Sequence, residues 1–250
     1  MSSLGDEVFI VRFGRSEIDV YDVDTFTFRR TLQVNMYAVS DIASCTRNNC
    51  LYLCGNRGLC RIGWNSEATN WMVNGMLRSL SVAPATSHVV ATWTTSHIIK
   101  EYAPSGCLVR EIHIELEPTA NLLHAVLLAS GQFLVSHKGD HEHAICLTGD
   151  DGIVAQKFST PPGWDVGRMN FPAHVVVDKQ GFVLVADSNN HRILLLSPSL
   201  AYVRVLISSL GNRRPSRLHL DEVHGRLYVG YHLGAGGRVS VYEVKQLCQY

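Results

Sequence analysis

The chain has 250 residues, 46% of them hydrophobic and 18% charged, with Lys plus Arg equal to Asp plus Glu at 22 each. That length supports a substantial core, and the balanced charge excludes a surface given over wholly to nucleic acid or anionic lipid. No apolar run approaches the roughly 18 residues of a membrane span, and residues 1–7 lack the basic and apolar regions of a secretory leader, so a cytoplasmic location is expected.

From the N-terminus, short apolar runs alternate with polar turns. The first pair covers 8–12 and 17–21 about a turn at 13–16, and a third run follows at 26–32. Apolar strands recur at 40–44 and 51–54, at 79–83 and 89–93, and at 124–128 and 133–136. The clearest set lies at 174–178, 182–186, 193–196 and 202–206, and the last at 217–221, 227–231 and 238–242. Nothing longer than a turn or two shows helical periodicity. The repeating unit is four short strands in about 40 to 45 residues, the pattern of a propeller blade. A β-sandwich also has many short strands, but it does not require one internal order repeated along the chain. The first unit shows no clear innermost strand and the last no clear outermost one. Strands from both termini that close the ring would hide those edges. The expectation is an all-β, six-bladed β-propeller of four-stranded blades, a single domain over residues 1–250, with its ring closed by strands from both termini.

The seven cysteines are Cys45, Cys50, Cys54, Cys60, Cys107, Cys146 and Cys248. The four between 45 and 60 lack the paired spacing of a zinc knuckle and fall in or beside strands, so they read as small buried hydrophobes in a reducing compartment.

The turn Asp187-Ser188-Asn189-Asn190-His191-Arg192-Ile193, preceded by Val183-Leu184-Val185-Ala186, resembles the NHL repeat, in which an apolar strand enters an Asp-x-x-Asn-His-Arg-Ile-type turn. The likeness is close in the fifth unit. The first and sixth keep the apolar frame and a polar turn, and the other three keep the frame alone. The resemblance implies a six-bladed NHL-type propeller. Such domains commonly end tripartite-motif ubiquitin ligases, where they bind RNA or protein. The sequence shows no RING, B-box or coiled-coil pattern, so neither ligase activity nor coiled-coil assembly is implied, and a monomer is expected.

In such a scaffold, the turns between second and third strands and the segments linking units share one face, and loops rather than strands carry function. The alignment puts Arg15, Arg57, Lys138, Arg192 and Arg238 there from within units, and Arg78, Arg168, Arg213 and Arg214 from linking segments. Trp93, Trp164 and Tyr231 join them, with Tyr37 and Phe171 nearby. Arginine forks suit carboxylate and phosphate groups, and aromatic rings can stack on unpaired bases. Arg192 also has a structural reading, because Asp187 in its own turn can pair with it.

Two histidine groups stand out. His137, Asp140, His141 and His143 lie within one turn and are zinc-ligand types. His124 lies seven residues before Gly131, and His174 seven before Gly181, so the two occupy one repeat position; Asp41, Ser79 and Arg217 hold it elsewhere. Innermost strands line a propeller's channel, so Asp41, His124 and His174 could ligate a metal or form a polar ring around water. No nucleophile-elbow, P-loop or H-E-x-x-H motif is present. The expected protein is a non-catalytic interaction module without a cofactor, binding a protein segment through the basic face. Single-stranded RNA on the same face is the second reading. A metal-dependent hydrolase or lyase at the channel mouth is the third.

Overall fold

The computed structural model describes residues 1–12, 14–36, 38–56, 58–63, 68–71, 76–93, 96–158, 168–208, 210–232 and 237–244. The described strands form six antiparallel sheets, each made of strands consecutive in the chain. The first holds β1 (Ser2–Leu4), β2 (Glu7–Val11), β3 (Glu17–Asp22) and β4 (Phe28–Gln33). The second holds β5 (Val39–Cys45), β6 (Cys50–Gly55), β7 (Gly58–Gly63) and β8 (Ala68–Trp71). The third is β9 (Leu77–Val82), β10 (Val89–Trp93), β11 (Ile98–Tyr102) and β12 (Leu108–His113). The fourth is β13 (Asn121–Leu127), β14 (Phe133–Lys138), β15 (His143–Thr148) and β16 (Val154–Phe158). The fifth is β17 (Pro172–Val177), β18 (Val183–Asp187), β19 (Arg192–Leu196) and β20 (Tyr202–Ile207), and the sixth is β21 (Arg214–Asp221), β22 (Arg226–His232) and β23 (Arg238–Glu243). Among the described residues no helix is long and apolar enough to cross a membrane.

This is the all-β, six-bladed β-propeller class that the repeat implies. The expected exchange of terminal strands is not seen among the described residues. The first sheet has its own inner strand in β1, paired with β2 from Ser2↔Phe9 to Leu4↔Glu7, and no described sheet mixes strands from the two ends of the chain. Ser2 is too short and polar to mark a strand by hydropathy. Its hydroxyl hydrogen-bonds Ser44 Oγ of β5 at 2.8 Å, so tertiary contact fixes this strand.

Burial falls from the inside of each sheet outwards. The second strands β6 and β18 are buried along their whole length, whereas the outer strand β4 (Phe-Arg-Arg-Thr-Leu-Gln) is mostly exposed. A strand covered on both faces reads as a continuous apolar run, as 51–54 and 183–186 do. Within each unit, neighbouring sheets pack face to face at three described interfaces. Leu4, Phe9, Ile18 and Val20 meet Ile42, Leu51, Leu53 and Ile62 between the first two sheets, while Cys45, Cys50, Tyr52 and Cys54 meet Leu80, Val89 and Tyr102 between the next two. Leu184, Ile193 and Leu195 meet Leu218, Leu227 and Val229 between the fifth and sixth. Each such side chain contributes roughly 1.5–3 kcal/mol by leaving water. The cysteines at 45, 50, 54 and 60 are free and buried, as their sequence context implied.

Two compact units divide the chain. One is Met1–Ile114 with Ala125–Phe133, and the other is Glu115–His124 with Leu134–Tyr250.

Candidate functional site

In the second unit, the turn between β18 and β19 is a closed polar network. Asp187 is fully buried at the end of a strand that has no other charge. Its Oδ1 accepts the Asn170 amide at 2.7 Å. Its Oδ2 accepts Asn190 Nδ2 at 2.8 Å and Arg192 Nε at 2.7 Å. Burial pushes the Asp187 carboxyl above the usual carboxylate range, against the opposing pull of Asn190, Asn170 and Arg192. The turn also grips its neighbours. Ser188 and Asn189 amides donate to the Phe171 and Asn170 carbonyls, Asn190 Nδ2 to the Arg168 carbonyl, and His191 Nδ1 to the Arg213 carbonyl. His191 achieves this at φ 53, the left-handed region that an Asx-rich turn tolerates at its end. One turn thereby fixes the main chain of the segments on either side.

That framework sorts the expected contact residues. Arg192 is spent inside the network, with its side chain only 12% exposed. Arg213 is half-buried; its Nε donates to the Leu210 carbonyl and its guanidinium lies 5.3 Å from the Tyr231 ring centroid. Tyr231 itself is buried, and its hydroxyl meets that of Tyr242 at 3.1 Å, so it is not a surface contact. Lys138 lies over the Phe171 ring at 5.1 Å. Arg168, Arg214 and Arg238 are exposed at this same end, and no described carboxylate pairs with any of them. Register places Arg214 opposite His232, and Arg238 opposite Tyr231.

In the first unit Arg15 is exposed, and its carbonyl accepts the Val39 amide at the start of β5. Trp93 is half-buried against the second and third sheets, with Lys100 at 5.2 Å from its ring. Arg78 is half-buried. Arg57, Trp164 and Tyr37 lie outside the described residues.

The repeat position held by Asp41, Ser79, His174 and Arg217 is marked by a feature absent from the sequence reading. In four innermost strands one residue has no partner in the second strand: Ser40, Arg78, Ala173 and Ser216, immediately before Asp41, Ser79, His174 and Arg217. Such a bulge re-aims the side chain that follows it. Ser40 and Ser216 hydroxyls satisfy carbonyls of the second strand at Cys54 and Gly230. At two of the four, the residue after the bulge then reaches the next innermost strand. Asp41 accepts the Ile42 amide at 3.0 Å and the Leu80 amide at 3.2 Å, while His174 Nδ1 accepts the Leu218 amide at 3.4 Å.

His124 and His174, both buried, stack with ring centroids 3.7 Å apart and 24° between planes. Burial first, then His124 and Arg217, holds His174 well below its ordinary pKa of 6.5, so the ring is neutral. The Leu218 amide donates to Nδ1, so the proton of the neutral ring lies on Nε2. Two of the three candidate metal ligands, His124 and His174, thus lie together in this unit, and the third, Asp41, is buried in the other.

The other histidine group does not converge. Asp140 and His141 are exposed, and His143 Nδ1 accepts the Phe171 amide at 3.0 Å. His137 is 1% exposed, neither ring nitrogen has a hydrogen-bond partner, and burial pushes its pKa down to about 4. The signal for this was present, since His137 closes the apolar run Phe133-Leu134-Val135-Ser136. A cavity in the first unit, lined by Leu4, Phe9, Arg30 and Ile62 among others, has a volume of about 20 Å³, room for a water and not for an organic substrate.

Residues 169–194, from Met169 through β17 and β18 into β19, match the NHL repeat, and this match together with the six sheets supports an NHL-type β-propeller. A search of curated protein sequences finds no match. Among solved structures, a protein of unknown function from Bacteroides caccae superposes with a TM-score of 0.74 at 13% identity, over 95% of this chain and 89% of that one. Hydrazine synthase of Kuenenia stuttgartiensis superposes with a TM-score of 0.68 at 11% identity, over 96% of this chain and 93% of that one. At these identities the likeness is one of fold.

Proposed function

We propose that the protein is a non-catalytic interaction module whose second unit binds an acidic protein segment at the end of its fifth and sixth sheets. The observation that carries this reading is the exposure of Arg168, Arg214 and Arg238 without a described counter-charge, beside a turn that immobilises the flanking main chain. A rigid frame with unpaired guanidinium forks lowers the ordering cost of binding carboxylates. RNA is less well served. Tyr231 is buried and Lys138 sits over one side of the Phe171 ring, which leaves these two rings poorly placed for base stacking.

The test is selection of peptides from a random display library on the immobilised protein, alongside binding of a random single-stranded RNA pool across a salt series. Enrichment of Asp- and Glu-rich segments is expected. Failure to enrich any peptide, together with RNA binding that falls steeply with salt, would replace this reading with the RNA one.

A further inference from the structure

We propose that Cys45 and Cys50 form a peroxide-sensitive dithiol that closes reversibly into a cross-strand disulfide. The two residues sit directly opposite each other at the last pair of β5 and β6, before the turn at 46–49. Opposed residues of an antiparallel pair have Cα atoms about 4.5–5.5 Å apart, inside the roughly 4.4–6.8 Å window of a disulfide. Both thiols are free and face the same side as Tyr52, in the layer between the second and third sheets.

Their surroundings differ from those of the other buried thiols. Burial pushes Cys60 up to about 11 and Cys146 to about 12, which keeps these thiols protonated. Cys50 instead lies beside the Arg61 guanidinium, whose pKa it raises, and beside the Tyr52 hydroxyl. That contact makes Cys50 the attacking thiol, and Cys45, directly opposite it, the resolving one. The Cys50 thiolate displaces water from hydrogen peroxide to give a sulfenic acid. Cys45 sulfur then attacks that sulfur, the S–S bond forms, and a second water leaves. Two thiols thus give two electrons and two protons to one peroxide, and a reducing thiol reverses the change.

The experiment treats the reduced protein with hydrogen peroxide, alkylates it under denaturing conditions and maps the peptides by mass spectrometry. A disulfide linking Cys45 to Cys50 is expected, with Cys60 and Cys146 alkylated and the bond lost after dithiothreitol. Cys45→Ser should accumulate a sulfenic acid at Cys50, trapped by dimedone, whereas Cys50→Ser should leave Cys45 reduced. Cys45→Ala and Cys50→Ala serve where serine disturbs folding, with circular dichroism as the check. Both thiols still alkylatable in the folded wild-type protein, or a bond to any other cysteine, would overturn the proposal.

Discussion

Arg192 in the turn of the fifth sheet, and Arg214 with Arg238 at the same end of the sixth, are alike in sequence and opposite in circumstance. Arg192 donates to a fully buried carboxylate and is 12% exposed, whereas Arg214 and Arg238 are exposed with no described partner. The repeat motif marks the first and says nothing of the other two. The comparison teaches that the motif builds the frame, and that residues outside the motif are the ones left for a ligand.

The largest expected effect comes from breaking the frame. Asp187→Ala removes the acceptor for three donors and leaves Arg192 nearly buried without its counter-charge, so stability should fall by about 3–5 kcal/mol in urea denaturation. A loss below about 1 kcal/mol would show the network to be incidental.

Acid tests the same unit by another route. His137 has a folded pKa of about 4 against an ordinary 6.5, so as pH falls from 6.5 the unfolded chain takes up a proton that the native state refuses. Its contribution is complete above 6.5 and lost as pH falls towards 4, about 3 kcal/mol in all. Glu7 in the first unit, held below its ordinary 4.5 chiefly by Arg30, loses its contribution in the same direction but only at lower pH. Denaturation of His137→Gln across pH 7 to 4 should therefore show a shallower decline than wild type. An identical decline would mean that His137 is not the group responsible.

Arg213 sharpens the comparison, being intermediate between the two classes. Arg213→Ala removes the hydrogen bond to Leu210 and the contact with Tyr231, and should cost about 1 kcal/mol in thermal or urea denaturation. A cost matching that of Asp187→Ala would make Arg213 part of the frame.

Most of the fold was legible because β6, β10, β14, β18 and β22 are apolar runs with turns at regular spacing. Gly131 and Gly181, at φ 86 and φ 87, close identical turns by donating to Leu128 and Asp178, which is why counting back from them aligned His124 with His174. β1 was not legible, because Ser2–Leu4 is too short and polar to announce a strand and depends on β2 and Ser44. Nor were the bulges at Ser40, Arg78, Ala173 and Ser216, since an unpaired residue leaves no hydropathy mark. Among the candidate contacts, exposure and pairing decided the matter. The sequence offers Asp187 as a partner for Arg192, but Arg213 and Arg214 look equivalent in it, and only the positions of Tyr231 and the Leu210 carbonyl separate them.

The smallest effect on stability belongs to the residues given the largest role in binding. Arg214→Ala with Arg238→Ala should change stability by less than about 0.5 kcal/mol, since both are exposed and no described carboxylate pairs with either. The most direct measurement is the affinity of this double variant for the peptide selected on the wild-type protein, read by fluorescence anisotropy beside a denaturation curve. At least about tenfold weaker binding in a protein of wild-type stability is the predicted result, because every 1.4 kcal/mol of lost contact is tenfold in Kd. Unchanged affinity, or a variant that unfolds, would contradict the division of arginines into frame and contact.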